Sequence, residues 1–214
     1  MKKTLIIFIV LAVLAGGGYY AYTLGYFDQW LPKQHQTDAE GNRIFSDEEI
    51  AKYEQYMKEA HDFVVQAETG NTDLYKQAVE AFKKASSVGD DKFWNPLLGI
   101  AEAYRKLSQY DKAEDAYNKA LEVSKYGEAK IYQAKIDMYR YDLKKSNEDI
   151  KKIYEEGIAK VLDNENLILS YGSFLKSIGD YYGALKAYEA ILLKFPDNEL
   201  YKKEVENLKK KIAN

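Results

Sequence analysis

Tyr110-x-x-Ala113-x-x-x-Tyr117 decides how this chain is read, because the same phrase returns as Tyr75-x-x-Ala78-x-x-x-Phe82 and as Tyr181-x-x-Ala184-x-x-x-Tyr188. A degenerate copy stands at Asn147, Ile150 and Tyr154. Ala78 to Ala113 is 35 residues, Ala113 to Ile150 is 37, and Ile150 to Ala184 is 34. Self-similarity at such a period marks a solenoid of helical hairpins, in which one hairpin cannot bury its apolar face alone and must stack on its neighbours. The expected fold class is therefore all-α: a helical-hairpin solenoid over residues 46–198 in about four helix pairs, with a capping helix over 199–214.

The phrase also lays out the elements. Ser46-Asp-Glu-Glu49 is a capping box, in which hydroxyl and carboxylate satisfy free amides at a helix start. Beyond it Ile50, Tyr53, Met57, Ala60 and Val64 recur at intervals of three and four, a single helical stripe. Thr69-Gly70-Asn71-Thr72 turns the chain into a helix carrying Tyr75, Ala78, Phe82 and Ala85. In the second hairpin Leu97, Ile100, Ala101 and Tyr104 precede Tyr110, Ala113, Tyr117 and Ala120. The alternation of small and large residues has a packing purpose: Ala101 and Ala113 let two helix backbones approach, and Tyr104 and Tyr117 fill the groove between hairpins.

In these residues the chain resembles the tetratricopeptide repeat (TPR). Leu97, Ile100, Ala101, Tyr104, Ala113, Tyr117 and Ala120 fit the repeat in register, lacking only the closing proline. The last full repeat fits through Ile168, Tyr171, Gly172, Leu175, Gly179, Tyr181, Ala184, Tyr188 and Pro196. The third departs most: an insertion of about three residues precedes Asn147, and Ile150 and Gly157 stand where the family has alanine. The resemblance implies a right-handed solenoid that serves as a generic scaffold binding a protein or peptide, with the first helix of each hairpin lining the concave side; no enzymatic activity and no cofactor are expected.

Residues off the packing stripe of those first helices are the expected partner-binding groove: Leu98, Glu102 and Arg105 in the second hairpin, Tyr132, Ile136, Tyr139 and Arg140 in the third, and Leu169, Ser173 and Lys176 in the fourth. Apolar and aromatic anchors among a few charges suit a protein segment. Tyr132 and Ile136 could equally pack on a neighbouring helix. The lysine, asparagine and arginine set with which one variant of the family grips a chain-terminal carboxylate is not present.

The N-terminus has a different character. Lys2 and Lys3 precede an uncharged run from Leu5 to Leu24, 20 residues long, and at about 1.5 Å per residue that spans a bilayer core. Tyr19, Tyr20, Tyr22, Tyr26 and Trp30 would form the aromatic belt at the far interface. The expectation is a transmembrane anchor over residues 1–30, followed by a polar tether over 31–45. The alternative is a signal peptide cut after about Ala15, against which the apolar character resumes beyond Gly16-Gly17-Gly18. Either way the flanking lysines keep the N-terminus cytoplasmic and place the repeats outside.

Composition narrows the function. A formal charge of −3 without a polybasic block argues against nucleic acid, and the absence of cysteine removes disulfides and thiolate chemistry. The two histidines, His35 and His61, do not suggest a metal site or an oriented general base, and no glycine loop cradles phosphate or a small-molecule substrate. Ser173-x-x-Lys176 matches the Ser-x-x-Lys of penicillin-binding enzymes but lacks their companion motifs. A final helix with Tyr201, Val205, Leu208 and Ile212 on one side and lysines on the other reads as a solenoid cap, or alternatively as a basic docking element. The sequence thus points to a membrane-tethered scaffold in the assembly of an envelope complex. An import-receptor-like adaptor on an organelle membrane is the alternative, and a cell-envelope hydrolase on a helical scaffold a distant third.

Overall fold

The computed structural model describes residues 43–162 and 164–213. The anchor expected over 1–30 and most of the tether lie outside the described residues; among those described, no helix is long and apolar enough to cross a membrane. The chain divides into two units, residues 1–50 and 51–214. In the first, Ser46 and Glu49 form the expected capping box: the Glu49 amide donates to Ser46 Oγ at 3.3 Å and the Ser46 amide to Glu49 Oε2 at 2.9 Å.

The described elements are helical throughout: α1 (Asp47–Glu68), α2 (Leu74–Val88), α3 (Trp94–Lys106), α4 (Tyr110–Val123), α5 (Ala129–Asp137), a π-helical turn (Met138–Asp142), α6 (Asn147–Lys160), α7 (Glu165–Ser177), α8 (Tyr181–Lys194) and α9 (Glu199–Ala213). From α2 onward sequential helices pack as neighbours, α3 between α2 and α4, and α8 between α7 and α9. One apolar core runs from Ala60 of α1 to Phe174 of α7, and a second joins Ile168, Leu175, Ala184, Tyr188 and Ile191 to Val205 and Leu208 of α9.

The repeated phrase is the core. Ala78, Ala113 and Ala184 are fully buried, as is Tyr117, because at these positions the helices of a hairpin come closest. Two glycines make equivalent close approaches: a Cβ on Gly99 would lie 2.5 Å from Phe82 Cζ, and one on Gly172 would lie 2.8 Å from Tyr188 Cε2. A methyl group at either position would drive its helix off the aromatic ring that seats it.

The turns inside the second and fourth hairpins are superimposable in their bonding. Ser108 N–H donates to the Arg105 carbonyl and Gln109 N–H to Tyr104; Gly179 and Asp180 donate likewise to Lys176 and Leu175. Each turn needs a left-handed residue, filled by Gly179 at φ +83° in the fourth hairpin and by Ser108 at φ +56° in the second.

The third hairpin is the irregular one, and the insertion read from the sequence has a definite form. α5 stops after nine residues and the backbone widens into the π turn, with Leu143 N–H donating to the Met138 carbonyl at 3.0 Å. Lys144, at φ +49°, then redirects the chain to Ser146, whose Oγ caps α6 by accepting from the Asp149 amide at 3.2 Å.

Candidate partner-binding groove

Because α3, α5 and α7 are the first helices of consecutive hairpins, they lie side by side and one cleft crosses all three. Its volume is about 400 Å³, and it is lined by Glu102 and Arg105 of α3, Ala129, Lys130, Gln133, Ala134 and Asp137 of α5, and Asn166 and Leu167 of α7. Alanine and leucine make an apolar floor, and amides and charges stand around it. The Gln133 amide donates to Asp137 Oδ1 at 2.9 Å, which orients its carbonyl oxygen for another donor.

The charges on this side are largely self-neutralised. Arg105 hydrogen-bonds Asp142 of the π turn and lies 3.7 Å from Glu102. Lys176 hydrogen-bonds Glu204 of α9, and that bond raises its ammonium above the ordinary lysine range. Tyrosine hydroxyls of the second helices bond to polar groups of the first helices: Tyr117 donates to Glu102, Tyr154 OH lies 2.8 Å from Ser170 Oγ, and Tyr188 OH lies 3.2 Å from Ser173 Oγ. Burial first, and then the Glu102 carboxylate, holds the Tyr117 phenol protonated well above its usual range.

The expected groove residues divide accordingly. Glu102 and Arg105 line the cleft. Leu98 is half-buried against the main core and Leu169 against the second. Ser173 is exposed and Lys176 half-buried. Tyr139 packs on the core with its hydroxyl bonded to Glu114 of α4, and Arg140 lies over the Phe174 ring. Tyr132 and Ile136 are corrections: both are 0% exposed and belong to the core, not to the groove. The cause is Gly157, which leaves the α6 backbone bare, so that the Tyr132 ring packs where a Cβ would sit 2.9 Å from its Cγ. The Tyr132 hydroxyl emerges at Glu156, 3.3 Å away.

The groove positions of α5 are instead Lys130, Gln133 and Asp137, spaced three and four apart and one step round the helix from the stripe expected. That polar stripe, flanked by Ala129 and Ala134, is the signal a sequence reader can find. Asn166 of α7 belongs to the same set.

Residues 95–125, which comprise α3 and α4, match the family described as Tetratricopeptide repeat. A stretch of 124 residues, 58% of this chain, is 27% identical to the BBSome complex member BBS4 of Bos taurus; the chain spans only 23% of that relative's length. Among solved structures, the Pseudomonas aeruginosa protein pilF superposes with a TM-score of 0.53 at 15% identity, covering 78% of this chain and 72% of that one. A tetratricopeptide repeat protein from Parabacteroides merdae superposes with a TM-score of 0.53 at 16% identity, covering 75% and 61%. The chain therefore carries a tetratricopeptide repeat and has the fold of an all-α, TPR-like solenoid.

Proposed function

We propose that this protein is a membrane-tethered scaffold that holds a segment of another protein in its concave groove during assembly of an envelope complex. The observation that carries the reading is the cleft along α3, α5 and α7, where an apolar floor lies between orientable amides and a rim of charge. An extended or helical segment of a partner needs both parts: apolar contact for affinity and side-chain amides for its backbone groups. Tethering is supported by Lys2 and Lys3 ahead of the uncharged run Leu5–Leu24, which orients the repeats away from the cytoplasm.

A photo-crosslinking residue at Gln133, in protein expressed in its own membranes, tests the groove, with the exposed Lys203 position as control. A discrete crosslink from position 133, absent from position 203, is expected. Asn166→Trp, an exposed position on the cleft rim, should remove it while the melting temperature stays put. An undiminished crosslink in that variant would place the partner elsewhere. Protease added to right-side-out vesicles should digest the repeats, and their full protection would reverse the orientation.

A further inference from the structure

Arg105, Arg140 and Lys176 form a row of cations, 35 and 36 residues apart, at the C-terminal ends of the first helices of three consecutive hairpins. Arg105 reaches the π turn, Arg140 reaches α7 and Lys176 reaches α9. Arg105 bonds the Asp142 carboxylate and Lys176 bonds that of Glu204. Arg140 meets no carboxylate among the described residues; its guanidinium carbon lies instead 5.0 Å from the centroid of the Phe174 ring of α7, and also 5.0 Å from that of Tyr141.

We infer that Arg140 is a specificity-determining contact, which receives the carboxylate of an aspartate or glutamate side chain carried by the partner segment. This rests on the groove reading above and adds the chemistry of the ligand to it. A guanidinium that meets an aromatic ring through its charge spends none of its N–H donors on a carboxylate, and their fork geometry matches one. Phe174, at 3% exposure, is a fixed platform, so this contact holds the arginine in place before any ligand arrives. The Tyr141 ring, 61% exposed, is a second aromatic contact at the same distance.

The π turn is what makes this position differ from the other two. In the wider turn Tyr139 is tied back to Glu114 and Asp142 is spent on Arg105, so the hairpin's own acid is turned away from Arg140. At two places in the row the chain supplies the acid, and at the third the partner does. A side-chain carboxylate fits better than a chain end, because Arg105 and Lys176, the neighbouring cations that could share a terminal carboxylate, are already neutralised.

The test uses the full chain against an array of short synthetic peptides in matched sets, each sequence carrying Glu or Gln at one position and a free or amidated C-terminus. Wild-type protein should bind the Glu member of a preferred sequence about tenfold to a hundredfold more tightly than the Gln member, the range of a charge-assisted hydrogen bond, with amidation immaterial. Arg140→Gln should erase that difference while binding the Gln peptide as before. Arg140→Lys keeps the charge and loses the planar edge, so it should retain only part of the discrimination; it also serves if Arg140→Gln does not fold by circular dichroism. Peptides bound without Glu preference, a preference that survives Arg140→Gln, or one that follows the terminal carboxylate would each overturn this inference and leave the groove standing. Binding of no peptide by wild-type protein would remove both.

Discussion

Gly157→Ala sets two opposed effects against each other, and its sign tests the corrected register of the third hairpin. In a solvent-facing helix this exchange stabilises by about 1 kcal/mol, because alanine loses less backbone entropy. Gly157 is in the last turn of α6 and buried, and the added Cβ would stand 2.9 Å from Tyr132 Cγ, 3.1 Å from Tyr132 Cδ1 and 3.1 Å from Leu167 Cδ1. The ring atoms it meets are at the stem of a fully buried side chain and cannot swing aside. Overpacking of this kind costs about 1–3 kcal/mol, so the net change is a loss of about 1 kcal/mol or more. Urea denaturation followed by circular dichroism should show a lowered midpoint, and combining it with Tyr132→Ala should give a smaller loss than the sum of the two single changes. If Gly157→Ala raises the midpoint, Tyr132 is not seated on α6, and the original expectation that it faces the groove is restored.

Three further outcomes follow from particular residues. Ser108→Gly should raise stability by about 0.5–1 kcal/mol in the same assay, since an L-residue at φ +56° bears a strain that glycine does not; a lowered midpoint would refute the equivalence of this turn with that at Gly179. Ala113→Leu should lower it by about 1–3 kcal/mol, because Ala113 is fully buried where α3 and α4 meet, whereas Ala129→Leu, half-buried at the start of α5, should cost clearly less; equal losses would contradict the packing. Burial, followed by the facing glutamates, raises the phenol pKa values of Tyr117 and Tyr132, so the folded chain holds protons that the unfolded chain releases near pH 10. Their contribution is complete below that pH and is lost as pH rises through the folded values, at about 1.4 kcal/mol per pH unit for each group, and absorbance at 295 nm should show both ionising only with unfolding.

The second and fourth hairpins were legible from sequence because their geometry leaves little choice. Where two helices touch, only a small residue fits, and where hairpins stack, only a large one fills the space, so Ala113, Tyr117, Ala184 and Tyr188 announce their own positions. The capping box at Ser46 was legible for a similar reason, since the amides of a helix start need side-chain acceptors. The third hairpin was less so. On a helix of nine residues, an apolar stripe at Ile131, Tyr132 and Ile136 lies beside a polar stripe at Lys130, Gln133 and Asp137, and periodicity alone does not say which faces the cleft. The choice is made by Gly157, which lies 25 residues beyond Tyr132 and whose missing side chain reads, in sequence, only as a departure from the repeat.

That departure is also where the groove acquires its individuality. In the regular hairpins the acids and bases of the concave side satisfy one another, so a partner meeting Arg105 or Lys176 must break an existing ion pair to gain a new one, and such an exchange yields little net affinity. The third hairpin contributes the small-residue floor at Ala129 and Ala134, the amide of Gln133, and an arginine stacked without a counter-charge among the described residues. One feature produces most of this. The π turn ends α5, ties Tyr139 to Glu114 of α4 and commits Asp142 to Arg105, so that this neighbouring acid is not spent on Arg140. Replacing the π turn by a regular helical turn, by deleting one residue between Met138 and Asp142, should therefore weaken ligand binding more than it weakens folding. A deletion variant that bound its ligands normally would show that the groove owes its selectivity to the regular repeats after all.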